Sequence, residues 1–473
     1  MIRQLVVRGA SEALCRCQAS LSTFHALSAR TRGNDDIWER AYQQTVPRTM
    51  EEMTNLLKQE VVSPPNSHLL KVAIVGMPNC GKSTLINKLM GWKVCSSSQK
   101  VHTTQVNARA VYNVGSTQMV FLDTPGLVSP QEVARHKLQR NLLTEPELSL
   151  HEADLLAVVH DVSCHFTHSS LHSRLIRLLA LHPTIPAVLV LNKVDLLKSK
   201  GNLLHITRIL TEGVIGGRRF FHKTERSGEV KKEVLIRRAL LQEKFSASQD
   251  QPSSQPHLHD NDSVNRTCES ENGGNIVQTP EVGEGRDNLL NTAYDISHIK
   301  ESDILAGRVH LTEHQIQTFV KNRRSWPLFD DVFMISGQDG TGVDDLRDFL
   351  LSCAQPQPWI FSPKVVTDQN PEEIALMTVR EKFLEQFKEE IPYTLKFSIE
   401  YWELTETELL SIIVKVQCVK KGLVRVLLGN RGSIIASMAQ KAEQDLRNIF
   451  RSEVKLRLNV VYDRFLKRKM ANR

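Results

Sequence analysis

From Leu69 onward the chain alternates short apolar runs with longer amphipathic stretches. Lys71–Val75, Gln118–Leu122, Leu155–His160 and Ala187–Leu191 read as buried strands, and sheet structure returns at Asp331–Ile335. Thr84–Leu89 and Val343–Leu351 read as helices. Strand–helix alternation of this kind predicts βαβ units, hence an α/β domain over 68–353 built on a mostly parallel sheet with helices on both faces. The pattern fails over 222–300, where Ser, Asn, Gln, Asp, Glu and Gly dominate; Ser246–Asp287 is the purest stretch. Too little apolar area is available there to offset the entropy of ordering, so 222–300 reads as a disordered insertion.

Both flanks of this domain read differently. Upstream, Trp38–Gln44 and Met50–Glu60 are short helix candidates within an extension, 35–67, that ends in the linker Ser63-Pro64-Pro65-Asn66. Downstream, Ala354-Gln355-Pro356-Gln357-Pro358 opens a second linker, 354–370. A second, α+β domain follows over 371–473. Pro371–Glu390 is an amphipathic helix with Ile374, Met377, Phe383, Leu384 and Phe387 on one face. Thr394–Tyr401 and Leu409–Val419 alternate like strands, and Val424–Leu428 is a short apolar run that reads as another. Gly429–Gly432 is a tight loop, Ser433–Phe450 a helix, and Val454–Val461 a final strand.

Composition narrows the classes. With 473 residues, 41% of them hydrophobic, the chain is an ordinary globular one of several domains. No run of 18 or more apolar residues occurs, so no membrane-spanning helix is expected. A net charge of +7 and a pI near 8.9 admit nucleic acid as a partner without demanding it. Eight cysteines (Cys15, Cys17, Cys80, Cys95, Cys164, Cys268, Cys353 and Cys418) form no CxxC pairs, which disfavours a zinc site or disulfide framework and suits a reducing compartment. The first thirty residues carry Arg3, Arg8, Arg16 and Arg30 against one acid, Glu12, the composition of a mitochondrial transit peptide, read here as 1–34.

Gly76-Met77-Pro78-Asn79-Cys80-Gly81-Lys82-Ser83 stands between the first strand and first helix. This GxxxxGK[ST] pattern arises by chance in roughly one or two percent of chains of this length. Between a strand and a helix it reads as a phosphate-binding loop. Its backbone, from Gly76 through Pro78, Asn79, Cys80 and Gly81 to Thr84, would cradle phosphates. Lys82 would reach the β- and γ-phosphates, and Ser83 would bind Mg²⁺.

Four further segments follow in order. His102-Thr103-Thr104-Gln105 reads as a switch, with Thr104 preferred as the residue closing on Mg²⁺ and the γ-phosphate. Asp123-Thr124-Pro125-Gly126 ends a strand; Asp123 would reach the metal through water and the Gly126 N–H would sense the γ-phosphate. Asn192-Lys193-Val194-Asp195 ends another strand. The Asp195 carboxylate can accept from the N1–H and N2–H₂ edge of guanine, a donor pair adenine lacks, while Lys193 lays its stem over the base. Ser336-Gly337 is the candidate backbone contact to the base. Lys82, Thr104 and Gly126 are the candidate catalytic residues. Leu127 occupies the place where a glutamine would orient water, which predicts slow intrinsic hydrolysis.

The second domain is basic: from Ser411 onward fifteen Lys/Arg face four Asp/Glu. Such a surface suits polyanions. Within it, Gly429-Asn430-Arg431-Gly432 is a GxxG loop ahead of an amphipathic helix, the arrangement that clamps about four nucleotides in KH domains. The tail Arg464-Phe465-Leu466-Lys467-Arg468-Lys469 suits RNA or membrane phosphates, though such runs are more often simply solvated.

In the order of these motifs the chain resembles the Era family of GTPases, and with its arginine-bearing leader the vertebrate mitochondrial members. The resemblance rests on Gly76–Ser83, Thr103-Thr104, Asp123–Gly126 followed by Leu127, Asn192–Asp195, Val379-Arg380-Glu381-Lys382-Phe383 and Glu390-Ile391-Pro392-Tyr393. It implies a P-loop GTPase domain followed by a type II KH domain, with GTP/GDP and Mg²⁺ as ligands. It implies binding to the 3′ region of mitochondrial small-subunit rRNA, contact with a small ribosomal subunit precursor whose assembly it assists, and the mitochondrial matrix as location. A peripheral contact with the matrix face of the inner membrane stays open. Asn79, by the same resemblance, either helps hold K⁺ near the β–γ bridge or only shapes the loop. Two departures stand out: Gly337 replaces a usual alanine, and Asp195 and Ser336 are far apart in sequence. A tRNA-modification GTPase would be expected to carry a cofactor site or a terminal cysteine, whereas this chain ends Met470-Ala471-Asn472-Arg473; a membrane-remodelling or signalling GTPase would have no use for the GxxG domain.

Overall fold

A computed structural model of the chain describes residues 44–95, 108–127, 150–219, 300–305, 307–309, 311–321, 323–387 and 391–463. The leader, the helix expected at Trp38–Gln44 apart from its last residue, the Thr103-Thr104 switch, the insertion apart from its last residue, Glu390 and the basic tail lie outside these residues. Chain contacts define two units. One comprises residues up to His168, Ile185–Leu203 and everything from Asp331 on; the other comprises Ser169–Thr184 and Leu204–Asp330.

In the first unit, α1 (Met50–Lys58) precedes β1 (His68–Gly76), α2 (Lys82–Met90), β2 (Ala108–Val114), β3 (Thr117–Asp123), β4 (Leu155–Asp161) and β5 (Ala187–Asn192). They are followed by β6 (Phe329–Met334), α3 (Val343–Ser352) and the two-residue β7 (Gln355–Pro356). The sheet order is β2-β3-β1-β4-β5-β6, with β7 paired to the start of β1. β1 runs parallel to β3 and β4, and β4 parallel to β5; β2, which the apolar pattern did not single out, lies antiparallel on β3. Val72, Ala73, Ile74 and Val75 are wholly buried, as expected for a strand covered on both faces. The phosphate loop, Asp123, Asp161 and Asn192 all fall at the carboxyl ends of parallel strands, where ligands bind in open α/β sheets.

The carboxy-terminal part holds α4 (Pro371–Gln386), β8 (Lys396–Leu404), β9 (Leu410–Cys418), α5 (Lys421–Leu428), α6 (Ser433–Phe450) and β10 (Val454–Tyr462). Asn370 caps α4 by accepting from the Glu372 amide, with Pro371 at the first helical position. The sheet order is β8-β9-β10, antiparallel then parallel. Alternate residues of β9 are buried, one face lying against the helices.

Two expectations change here. Val424–Leu428 is helical, part of α5, so the GxxG loop joins two helices. An apolar run this short does not distinguish strand from helix; Leu423 with Leu427 and Val424 with Leu428 are spaced i, i+4, and Leu427 is buried while Val426 is exposed. The 354–370 segment is not a free linker either. The Ile360 and Phe361 amides donate to Gln118 Oε1 at 3.1 and 3.0 Å, and the Val111 amide donates to the Val366 carbonyl at 2.7 Å. Arg109 bonds Asp368 through its amide and guanidinium. An edge strand leaves backbone groups unpaired, and this segment covers those of β2.

The second unit contains the helices Ser173–Leu181, Glu301–Leu305 and Glu313–Lys321 and most of Asn202–Leu210. Arg323 pairs with Glu301 and Glu212 and lies over the rings of Phe319 and Trp326.

Candidate nucleotide site and RNA-binding loop

The phosphate loop is shaped by what its glycines must avoid. A Cβ on Gly76 would lie 2.5 Å from the Val159 carbonyl oxygen and 2.6 Å from the Cys80 sulfur. Gly81 has φ +96°, and a Cβ there would lie 2.3 Å from Asn192 Nδ2. Asn79 is also left-handed, at φ +62°. The chain thereby turns sharply into α2, placing that helix's amides and positive dipole end beside the loop. Lys82, buried, donates to the carbonyls of Gly76 and Met77 at 3.3 and 3.2 Å, curled over its own loop. Burial pushes the Cys80 thiol pKa up, with Lys82 opposing.

Ser83 Oγ donates to Asp123 Oδ2 at 2.9 Å, both groups buried. A hydroxyl and carboxylate together form the oxygen donor set Mg²⁺ takes, and the glycine cradle beside them keeps open the space side chains would fill. The chain's residues therefore fit a nucleotide with its magnesium ion. Cys95 borders the same corner: burial, then the Asp123 charge, push its thiol pKa well up. Gly126 lies against the loop, since a Cβ there would be 2.9 Å from Pro78 Cα. The Leu127 amide donates to the Gly76 carbonyl at 3.2 Å, and Leu127 is buried.

At the base side, Asn192 binds the segments together. Its Nδ2 donates to the Cys80 carbonyl at 2.8 Å, and its Oδ1 accepts from the Lys193 and Gly337 amides at 2.8 and 2.9 Å. Ser336-Gly337 is thus brought to the motif despite the long separation in sequence. A Cβ on Gly337 would meet only ordinary contacts, 3.5 Å and beyond, so alanine would also fit. Ser336 is buried, its Oγ accepting from the Asp339 amide. Asp195 is exposed on the short turn Val194–Leu196, and Thr84 is half-buried. Asp161, not singled out from the sequence, pairs with Lys193 at 2.5 Å. Burial alone would raise its pKa, but the hydrogen bonds from Lys193 and Ser163 prevail and lower it. Its signal in the sequence was its place at a strand end, like Asp123 and Asn192.

The GxxG loop also needs both glycines. A Cβ on Gly429 would lie 2.5 Å from Ile434 Cγ1, and Gly432 has φ +82°. Asn430 and Arg431 are exposed at the tip, Arg431 itself at φ +51°. The loop leads directly into α6, which bears on α2's far end. Trp92 Nε1 donates to the Asn448 carbonyl at 3.0 Å, and the Arg451 guanidinium carbon lies 3.6 Å from the Trp92 ring centroid. Lys93 Nζ reaches Glu381 at 2.9 Å and Asp445 at 2.8 Å, and Lys382 reaches Asp445 at 2.7 Å. Asn87 holds the Gly91–Cys95 hook by accepting from the Val94 and Cys95 amides and donating to the Cys95 carbonyl.

A mostly parallel sheet with this loop, a Ser83–Asp123 pair and an Asn-Lys-x-Asp strand end defines a P-loop GTPase. The family model described as "50S ribosome-binding GTPase" matches residues 71–193. The chain is 39% identical over 409 residues to "GTPase Era, mitochondrial" of Salmo salar, covering 86% of this chain and 79% of that protein. It is 36% identical to the protein of the same name in Danio rerio, covering 86% and 78%. It belongs to the mitochondrial Era GTPase family, and it hydrolyses GTP. Among solved structures, a variant of Aquifex aeolicus Era bound to GDP and AlF₄⁻ superposes with a TM-score of 0.52 at 20% identity, covering 86% of this chain and 98% of that one. Era in complex with MgGDPNP and nucleotides 1506–1542 of 16S ribosomal RNA gives the same figures and supports the fold, a P-loop GTPase domain followed by a KH domain.

Proposed function

We propose that this chain is a mitochondrial GTPase that binds the 3′ region of small-subunit rRNA through its GxxG loop. By this reading it assists small-subunit assembly in the matrix, releasing the RNA according to its nucleotide state. The names of the relatives and the ribosomal RNA fragment in the Era complex support target and compartment. Gly76–Thr84 cradles the phosphates, Lys82 neutralises them, Asp195 accepts from the guanine edge, and Gly126 senses the γ-phosphate through its N–H. Ser83, Asp123 and Thr104 would hold Mg²⁺, which supplies charge neutralisation at the β- and γ-oxygens when bound. Leu127, buried and offering no polar group, leaves the attacking water unoriented, so intrinsic turnover is slow. Asn79 helps hold K⁺ beside the loop, which equal GTPase rates in KCl and NaCl would disprove.

The observation that carries the coupling is the double attachment of Trp92 and Lys93, at the end of the phosphate-loop helix, to α4 and to the helix that begins at the GxxG loop. Crosslinking in cells followed by RNA sequencing tests the target: reads should concentrate at the 3′ end of mitochondrial small-subunit rRNA. Reads spread over unrelated transcripts would refute the assignment.

A further inference from the structure

We propose that Asp161 is a positioning residue of the guanine site, holding Lys193 with its stem laid out for the base before nucleotide arrives. The inference rests on the guanine-nucleotide reading above and extends it to a residue outside the five nucleotide motifs.

Lys193 is fixed at both ends. Its backbone is left-handed, φ +66°, and its amide donates to Asn192 Oδ1 at 2.8 Å. Its ammonium lies 2.5 Å from Asp161 Oδ2. The carboxylate that holds it cannot turn away, because Oδ1 accepts from the Ser163 amide at 2.8 Å and the Ser163 hydroxyl at 2.6 Å. The strands beneath are in register: Asp161 pairs with Asn192 across β4 and β5, and the Val162 amide donates to the Asn192 carbonyl at 3.1 Å. Thr167 Oγ1 further ties the Asp161 carbonyl at 2.6 Å. Both oxygens of Asp161 are thus committed within the protein, so its influence on the ligand passes through Lys193 rather than through a direct contact.

Ordering a long side chain on binding costs conformational entropy. A lysine already pinned at both ends has met that cost during folding. Freed from Asp161, Lys193 must be ordered by the nucleotide, and affinity should fall about three- to ten-fold. The loss should be shared by every purine nucleotide that engages the lysine stem. The preference for guanosine over inosine, which depends on Asp195 and the exocyclic amine, should stay as it was.

The test is calorimetric titration of the full chain with GDP and IDP in Mg²⁺ for wild type, Asp161→Asn, Lys193→Met and the double variant. The expected result is a three- to ten-fold loss for Asp161→Asn with both ligands and no further loss when it is added to Lys193→Met. An Asp161→Asn protein that binds like wild type overturns the inference, and so do losses that multiply in the double variant, since those would mark a general structural role. If Asp161→Asn does not fold, Ser163→Ala, which removes the hydroxyl bond to the carboxylate and leaves the amide bond in place, serves instead: a smaller loss absent from the Lys193→Met background is expected, and any other pattern overturns the inference. Failure of the wild-type chain to bind GDP would instead undo the nucleotide reading itself.

Discussion

Replacing Lys93 by methionine should destabilise the carboxy-terminal part of the first unit by about 2 kcal/mol. The estimate comes from the four charges gathered there. Lys93 and Lys382 together face Glu381 and Asp445, and the Glu381 side chain is only 3% exposed. Removing one member of a buried pair costs about 3–5 kcal/mol, whereas exposed pairs contribute at most about 1. Lys93 is a quarter exposed, which places the cost between those limits. With Lys93 gone, Glu381 and Asp445 share the ammonium of Lys382, which also pairs with the exposed Glu385, and repel each other. Asp445→Asn alone leaves two ammoniums against one carboxylate, but the double variant restores one of each. Urea unfolding followed by tryptophan fluorescence, with Trp92 and Trp402 reporting from this region, measures the effect. The double variant should be less destabilised than the sum of the single ones. Strictly additive costs, or a Lys93→Met change below about 0.5 kcal/mol, would refute the idea that these four charges act as one group.

Gly81→Ala should abolish nucleotide binding in calorimetry, since the new methyl meets Asn192 Nδ2 at 2.3 Å and the backbone is left-handed. Gly429→Ala, whose methyl meets Ile434, should weaken RNA capture at least ten-fold in a filter-binding assay while leaving the GTPase rate within about two-fold. Acid should act on the same charges. Burial raises the Asp445 pKa, but the bonds from Lys382 and Lys93 outweigh it and lower it from 3.8. Its contribution to stability is therefore complete above pH 3.8 and lost as pH falls through the lowered value, so the midpoint of urea unfolding should drop more steeply below pH 4 in wild type than in Asp445→Asn. Deleting residues 225–295 should leave nucleotide affinity nearly unchanged in the same titrations.

The strands were legible because a sheet buried on both faces demands continuous apolar runs, and Lys71–Val75 and Ala187–Leu191 are such runs. The phosphate loop and the Asn192–Asp195 strand end were legible because close approach and hydrogen-bond chemistry restrict residue choice locally. What escaped depends on tertiary neighbours. β2 is an edge strand with half-buried positions, so its apolar signal is weak. Val424–Leu428 was too short for its period to decide between strand and helix. Asp161 finds its partner in a lysine 32 residues away, and Trp92 and Lys93 find theirs in residues more than 280 positions on. The 354–370 segment has linker composition, yet the buried amide of Gln118 and the free edge of β2 secure it.

The decisive measurement is the affinity of the full chain for the 3′ fragment of mitochondrial small-subunit rRNA, taken by fluorescence anisotropy with a non-hydrolysable GTP analogue and again with GDP. If the phosphate-loop helix communicates with the GxxG domain through Trp92 and Lys93, the two affinities differ, and Lys93→Met narrows the difference. Equal affinities in both nucleotide states would contradict that coupling.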